Sequence, residues 1–268
     1  MRGRSSSLVL ALTLLFVACS SAATTPQIAG SPEPEPEHEA QAESQSTESP
    51  QPAADPGQKP QRILPEQGDF VAVPRSRYTP MWEMPGQSGG PDFSFDTQNP
   101  MGQLAPLLID GATRRDGVEW LEVLLPLRPN GTSAWVKSDE VEIREREQRI
   151  EVDLSRRVLR HYEGDELANS FRVGVGTEQY PTGVGRFYVW VKVPYENPNN
   201  PYGIMALGLS GFSPVLSDWP GQGRMAVHGT PYASNRGQAV SHGCVRVYND
   251  DMRALLDLPL GTPVEINR

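Results

Sequence analysis

Hydrophobic and polar positions divide this chain into stretches of distinct character. Arg2 and Arg4 precede a short apolar run, Leu8 to Val17, followed by the small residues Ala18 to Ala23. The run is too short to span a bilayer stably, so residues 1–23 are predicted to be an export signal. Residues 24–61 contain eight prolines and many Glu, Gln, Ser and Ala, with no aromatic residue. Such a segment buries too little apolar surface to offset the entropy of ordering, and is predicted to be a disordered tether.

Beyond the tether, short runs rich in branched and aromatic residues predict strands at Phe70–Val73, Leu104–Ile109, Trp120–Leu125 and Ala134–Lys137. Turn chemistry separates them at Asn99-Pro100, Asp116-Gly117 and Asn130-Gly131, and residues 75–102 read as an extended loop. From about Arg149, strands are predicted at Ile150–Leu154, Val158–Tyr162, Asn169–Val175, Arg186–Val193, Met225–His228 and Val264–Ile266. A helix is predicted from Asn249, whose side chain can cap the first turn. It aligns Met252, Leu255 and Leu256 before Pro259 ends it. The fold class expected is mainly β with a short C-terminal helix. Its domains are expected at residues 62–146 and 147–268.

Charge narrows the functions available. The formal net charge is -9, and residues 24–61 hold seven acidic residues against one lysine. No basic stripe is present to neutralise phosphates, so a nucleic-acid partner is not expected. Cys19 and Cys244 are the only cysteines, which rules out a disulfide framework for the exported chain. Cys19 stands where a bacterial lipoprotein signal carries its lipidated cysteine, after Leu15-Phe16-Val17-Ala18. The predicted outcome is a lipid anchor at Cys19 and a protein held to a membrane, facing the periplasm or cell wall. The alternative is an ordinary secretory signal cleaved near Ala23.

Candidate chemistry gathers near the C-terminus, in Met225-Ala226-Val227-His228-Gly229-Thr230 and Ser241-His242-Gly243-Cys244-Val245-Arg246. A free thiol is only a few per cent thiolate at neutral pH, and an efficient nucleophile needs a neighbouring base or positive charge. His228 lies 16 residues before Cys244, on an apolar strand, and could meet the sulfur if the two strands are neighbours. His242 is placed less well for that role. Gly243 permits close backbone approach and could leave amide donors open to an oxyanion. Two other readings stay open on spacing alone: Cys244 as a small buried core residue, and His228, His242 and Cys244 as metal ligands, although no fourth ligand is evident.

The run Ser241-His242-Gly243-Cys244-Val245-Arg246, with Val227-His228-Gly229-Thr230 upstream, resembles the signature of the L,D-transpeptidase catalytic domain (the YkuD type). Gly176 through Pro181-Thr182, Gly185, Phe187, Asn200-Pro201-Tyr202-Gly203 and Leu260-Gly261-Thr262-Pro263-Val264 extend the likeness over about residues 147–267. Tyr202 and Met205 depart from it, standing where members often have Leu and Arg. The resemblance implies a β-sandwich enzyme acting on peptidoglycan stem peptides, with Cys244 as nucleophile, His228 as base and no metal or other cofactor. It also implies that the Gly243 and Cys244 amides stabilise the oxyanion. Ser241, His242 and Gly229 would orient the site, and Arg246 would meet a substrate carboxylate or brace the site through a salt bridge. Hydrolysis by the same thiol, or a non-catalytic wall-binding lipoprotein, are the alternatives. Trp120-Leu121-Glu122-Val123 with Gly131 to Val136 resembles a bacterial SH3-like barrel, in which Trp120 and Trp135 are expected to be core residues.

Overall fold

The computed structural model describes Leu64, residues 68–218 and residues 221–268. The expected signal segment, the tether and Cys19 lie outside these residues. In chain order the strands are β1 (Asp69–Pro74), β2 (Tyr78–Met81), β3 (Phe93–Asp96), β4 (Leu107–Arg115), β5 (Val118–Leu124), β6 (Ser133–Lys137) and β7 (Val141–Arg146). They continue as β8 (Gln148–Asp153), β9 (Val158–Glu163), β10 (Glu166–Arg172), β11 (Val175–Gly176), β12 (Gly185–Pro194), β13 (Met205–Phe212) and β14 (Arg224–Thr230). Last come β15 (Ala239–Ser241), β16 (Val245–Tyr248), the helix α1 (Asn249–Met252) and β17 (Pro263–Asn267). The protein is mainly β, as the strand periodicity predicts.

Five strands form an antiparallel sheet in the order β6-β5-β4-β1-β7. Eight more form a second sheet in the order β10-β9-β8-β17-β12-β13-β14-β16. Within it β8 pairs with β17, and β14 with β16, in parallel. The segment read as a loop at residues 75–102 holds the hairpin β2–β3, paired from Tyr78 opposite Asp96 to Met81 opposite Phe93. The strand expected at Asn169–Val175 is broken. β10 ends at Arg172, and Gly174 turns away to exchange two backbone hydrogen bonds with Arg246.

Strand β12 ties the sheets together by simple alternation of side chains. Phe187, Val189 and Val191 are buried, and the first two join the hydrophobic core of the eight-stranded sheet's own domain. Tyr188 enters the core of the five-stranded sheet and Trp190 packs against it. The Tyr188 hydroxyl donates to the Leu124 carbonyl at 3.1 Å. At one end of this seam Arg186 pairs with both Asp69 and Asp110. Near the same end, Asn130 clamps the Phe212 peptide, its Oδ1 accepting from Phe212 N–H and its Nδ2 donating to Phe212 O, both at 2.8 Å. A strand with an apolar partner on each face needs no solvated side, which is why residues 187–191 read as an unbroken apolar run.

The C-terminal helix is a single turn continued by a 3₁₀ turn at Arg253–Leu255. Its N-cap is Tyr248, and Asn249 does not cap it as expected. The Asn249 side chain instead crosses to another loop, where Oδ1 accepts from Ile204 N–H at 3.2 Å and Nδ2 donates to Pro198 O at 2.8 Å. Trp120 is 2 % exposed and meets Trp82 edge to face, whereas Trp135 is only half-buried.

Candidate active site

Strands β14 and β16 run side by side in parallel, with Val227 opposite Val245 and His228 opposite Arg246. Val227, Val245 and Val247 point into the core. Because side chains alternate, His228 and Arg246 project from the opposite face. Cys244 lies one residue before β16, and a backbone hydrogen bond from Ala226 reaches its thiol. The sequence separation between imidazole and sulfur is therefore closed by strand pairing. His228 is 3 % exposed, and Cys244 is half-buried as a residue.

The imidazole is held from two sides. Nδ1 lies 2.7 Å from the Gly229 carbonyl. A carbonyl can only accept, so Nδ1 carries the proton, and the neutral ring keeps its basic lone pair on Nε2. Tyr202 packs edge-on against the ring, with centroids 5.0 Å apart, and Tyr195 stacks on Tyr202. The turn beneath Tyr202 is fixed by Asn200, whose Oδ1 accepts from Tyr202 N–H and whose carbonyl accepts from Gly203 N–H. Tyr202 was visible in the sequence only as a departure from the family pattern. Its place against the base depends on a loop whose path the local sequence does not define.

Electrostatics set the resting protonation state. Burial pushes His228 down to about 4, and the positive charge of Arg246 acts in the same direction, against the Gly229 hydrogen bond. Burial pushes the Cys244 thiol up from its ordinary value, opposed by the Ala226 backbone bond and by Arg246. The resting pair is thus a neutral thiol beside a neutral imidazole, poised for general-base rather than ion-pair chemistry.

This state makes a pH prediction. An unfolded chain returns His228 to its ordinary 6.5, so between about 4 and 6.5 the unfolded state binds a proton that the folded state refuses. Stability should therefore fall as pH drops through that window, by up to about 3 kcal/mol from this residue. His161, also lowered by burial, adds a contribution of the same sign. Urea unfolding at pH 7, 5.5 and 4 should show the slope, and His228→Gln should flatten it. The acid limb of kcat/KM should fall near pH 4; a limb near 6.5 would mean that the ring is not held neutral.

The turn before Cys244 is built around Ser241. Its hydroxyl donates to the Cys244 carbonyl at 2.6 Å and accepts from Gly243 N–H at 3.1 Å. This corrects the expectation that Gly243 offers an oxyanion donor, because its amide already serves the turn. Gly243 has φ +114, a conformation that glycine adopts without strain. His242 is exposed and lies against Tyr180, with centroids 4.6 Å apart, away from the pairing that joins His228 to β16. Arg246 donates from Nη1 to Asn235 Oδ1 at 3.1 Å, and its Nε is buried without a partner. The salt bridge considered for it is not found among the described residues. No group of three His, Cys, Asp or Glu among the described residues is arranged to hold a metal ion.

Two cavities flank this turn. One of about 560 Å³ lies between residues 177–180 and 240–242. The other, of about 640 Å³, is bounded by residues 181–184 on one side and Pro214 and Val215 on the other.

Residues 147–266 match the family model of YkuD, the L,D-transpeptidase catalytic domain. Within curated proteins, the chain is 36% identical over 119 residues to YkuD of Bacillus licheniformis, a name that assigns an L,D-transpeptidase provisionally. It is 30% identical over 120 residues to YkuD of Bacillus subtilis, named in the same way. The matches take in 44% of this chain and 64% and 65% of those relatives, just under two thirds of their length. A solved L,D-transpeptidase from Mycobacterium smegmatis shares 15% identity over 56% of this chain and 91% of its own, with a TM-score of 0.38. The catalytic domain of an Enterococcus faecium L,D-transpeptidase shares 24% identity over 45% of this chain and 96% of its own, with a TM-score of 0.34.

Proposed function

We propose that this protein is a peptidoglycan L,D-transpeptidase that carries its acyl group on Cys244. The observation that supports the reading most is the His228–Cys244 arrangement. His228 lies on β14, Cys244 immediately precedes the neighbouring parallel strand β16, and the Gly229 carbonyl fixes the ring with Nε2 as its open nitrogen. In the first half-reaction the sulfur attacks the carbonyl of the stem-peptide residue before a terminal D-alanine, and His228 Nε2 takes the thiol proton. The tetrahedral oxyanion accepts from the Cys244 amide. Its collapse breaks the peptide bond, and D-alanine departs with the proton returned by His228. An amine of a second stem peptide, or of an envelope protein, then attacks the thioester, gives up a proton to His228 and restores the thiol.

Arg246, with its buried unpartnered Nε, supplies positive charge beside the sulfur and a donor for a substrate carboxylate. Such a substrate lies outside the cytoplasmic membrane. The signal segment and lipid attachment at Cys19 would bring the enzyme there, and the N-terminal sheet would serve as an SH3-like module beside it.

Intact-mass spectrometry after exposure to a carbapenem tests the reading, because a strained β-lactam acylates the thiol of a wall transpeptidase. A covalent adduct on the peptide containing Cys244, absent from Cys244→Ser, is expected. A chain that stays unmodified would overturn the assignment. Incubation with a tetrapeptide stem and a D-amino acid separates the outcomes: exchange product marks transfer, and tripeptide alone marks hydrolysis.

A further inference from the structure

Arg128 lies in the connection between β5 and β6, on the five-stranded sheet, far from His228 and Cys244 in sequence. Its guanidinium gathers three carbonyls of one segment. Nη1 donates to Ser213 O at 3.1 Å, and Nη2 donates to Leu216 O at 2.7 Å and to Gln222 O at 2.9 Å. The same group lies 4.7 Å over the Phe212 ring. The segment is closed at its neck by Ser213 N–H donating to Gly223 O at 2.7 Å. Ser213 Oγ accepts from Val215 and Leu216 N–H within it. Gly223 has φ +74, and a β-carbon there would fall 2.0 Å from Leu216 O, so the return of the chain beside Leu216 tolerates no side chain.

This segment meets the site. A β-carbon on Gly243 would lie 3.7 Å from Ser213 Oγ and 3.4 Å from Pro181 O, so the residue before the nucleophile sits between those two groups. Pro214 and Val215 continue from that contact as one wall of the 640 Å³ cavity. Five N–H groups on one planar fork can hold several carbonyls in a fixed arrangement, which a lysine ammonium on a flexible stem cannot reproduce.

We propose that Arg128 is a positioning residue for the Cys244 site: by holding the Ser213, Leu216 and Gln222 carbonyls it fixes the wall against which the nucleophile turn packs. The N-terminal sheet is then part of the catalytic apparatus. The inference rests on the acyltransfer reading for its effect on rate, and stands on separate geometry.

Arg128→Ala, Arg128→Lys and Gly223→Ala, made in the full chain, test it. Arg186→Gln serves as the control, since Arg186 joins the same two sheets at Asp69 and Asp110 without touching this segment. Carbapenem acylation of Cys244 should slow roughly 10- to 100-fold in Arg128→Ala and Gly223→Ala, the scale expected for small misplacements of a reacting group. Arg128→Lys should recover little. Alkylation by iodoacetamide, which is too small to need the wall, should change little in any variant. Hydrogen exchange should quicken in residues 213–218 and 241–246 of the Arg128 variants, and not in Arg186→Gln. Equal acylation in Arg128→Ala and wild type, or equal slowing in Arg186→Gln, would overturn the proposal. If the wild type is not acylated, it is the acyltransfer reading that fails. The exchange pattern then decides whether Arg128 orders the nucleophile turn, with unchanged exchange overturning that as well.

Discussion

Replacing Cys244 by serine should lower kcat/KM by at least about 10³-fold while leaving the unfolding midpoint little changed. The site explains the size of the effect. With His228 held down at about 4, the imidazole is a weak base. It can assist deprotonation of a thiol whose negative charge Arg246 and the Ala226 backbone bond favour. A serine hydroxyl is far less acidic than a thiol, and the same imidazole cannot activate it to a comparable degree. Folding should tolerate the exchange because Cys244 is half-buried and its neighbourhood already offers the Ala226 bond to a hydroxyl oxygen. His228→Gln provides the complementary measurement. It can donate a hydrogen bond to the Gly229 carbonyl but cannot accept the thiol proton, and a loss of roughly 10²- to 10⁴-fold is expected. Initial rates with a tetrapeptide donor, read beside thermal unfolding, check both. A serine variant within about tenfold of wild type would place the nucleophile elsewhere.

The residues of the site were legible because their chemistry and spacing are local. Val227, Val245 and Val247 alternate with His228 and Arg246, so two apolar strands with a polar face can be read directly. The pairing that brings the strands together joins segments 18 residues apart in register, and no local pattern states it. Strand β13, Met205–Phe212, is hidden for another reason: Gly208 and Gly211 interrupt its pattern. Both glycines admit neighbouring side chains. A β-carbon would fall 2.6 Å from Val191 Cγ1 at Gly208 and 2.2 Å from Phe187 Cε1 at Gly211. Strand β12 reads correctly as a strand, yet nothing in an apolar run says that alternate residues serve two different cores. Gly243 shows the limit on the chemical side. Its flexibility is evident in the sequence, but the acceptor for its amide is Ser241 Oγ, a choice made by the turn. Asn249 likewise has the side chain of a helix cap and spends it on the loop that carries Tyr202.

Gly203→Ala should damage stability and activity together, because that loop bears on the base through backbone. Gly203 has φ +62, and a β-carbon there would lie 2.1 Å from Asn249 Oδ1 and 2.4 Å from the Gly229 carbonyl carbon. The side chain of Asn249 could yield, but at the cost of its bonds to Ile204 N–H and Pro198 O. The Gly229 peptide can yield only by moving β14, and its carbonyl is the group that orients His228 Nδ1. Strain from the left-handed backbone and overpacking against a neighbouring strand together should cost about 2–4 kcal/mol. Turnover should fall with it, since the displaced peptide carries the imidazole and Tyr202 shifts from its edge. Gly117→Ala separates the two contributions: its φ is +78, but nothing lies within 4 Å of the added carbon. That variant should lose only about 1 kcal/mol and keep full activity. Urea unfolding and carbapenem acylation, measured on both variants, resolve the matter. If Gly203→Ala behaves like Gly117→Ala, the contact between this loop and the Gly229 peptide does not hold the base in place.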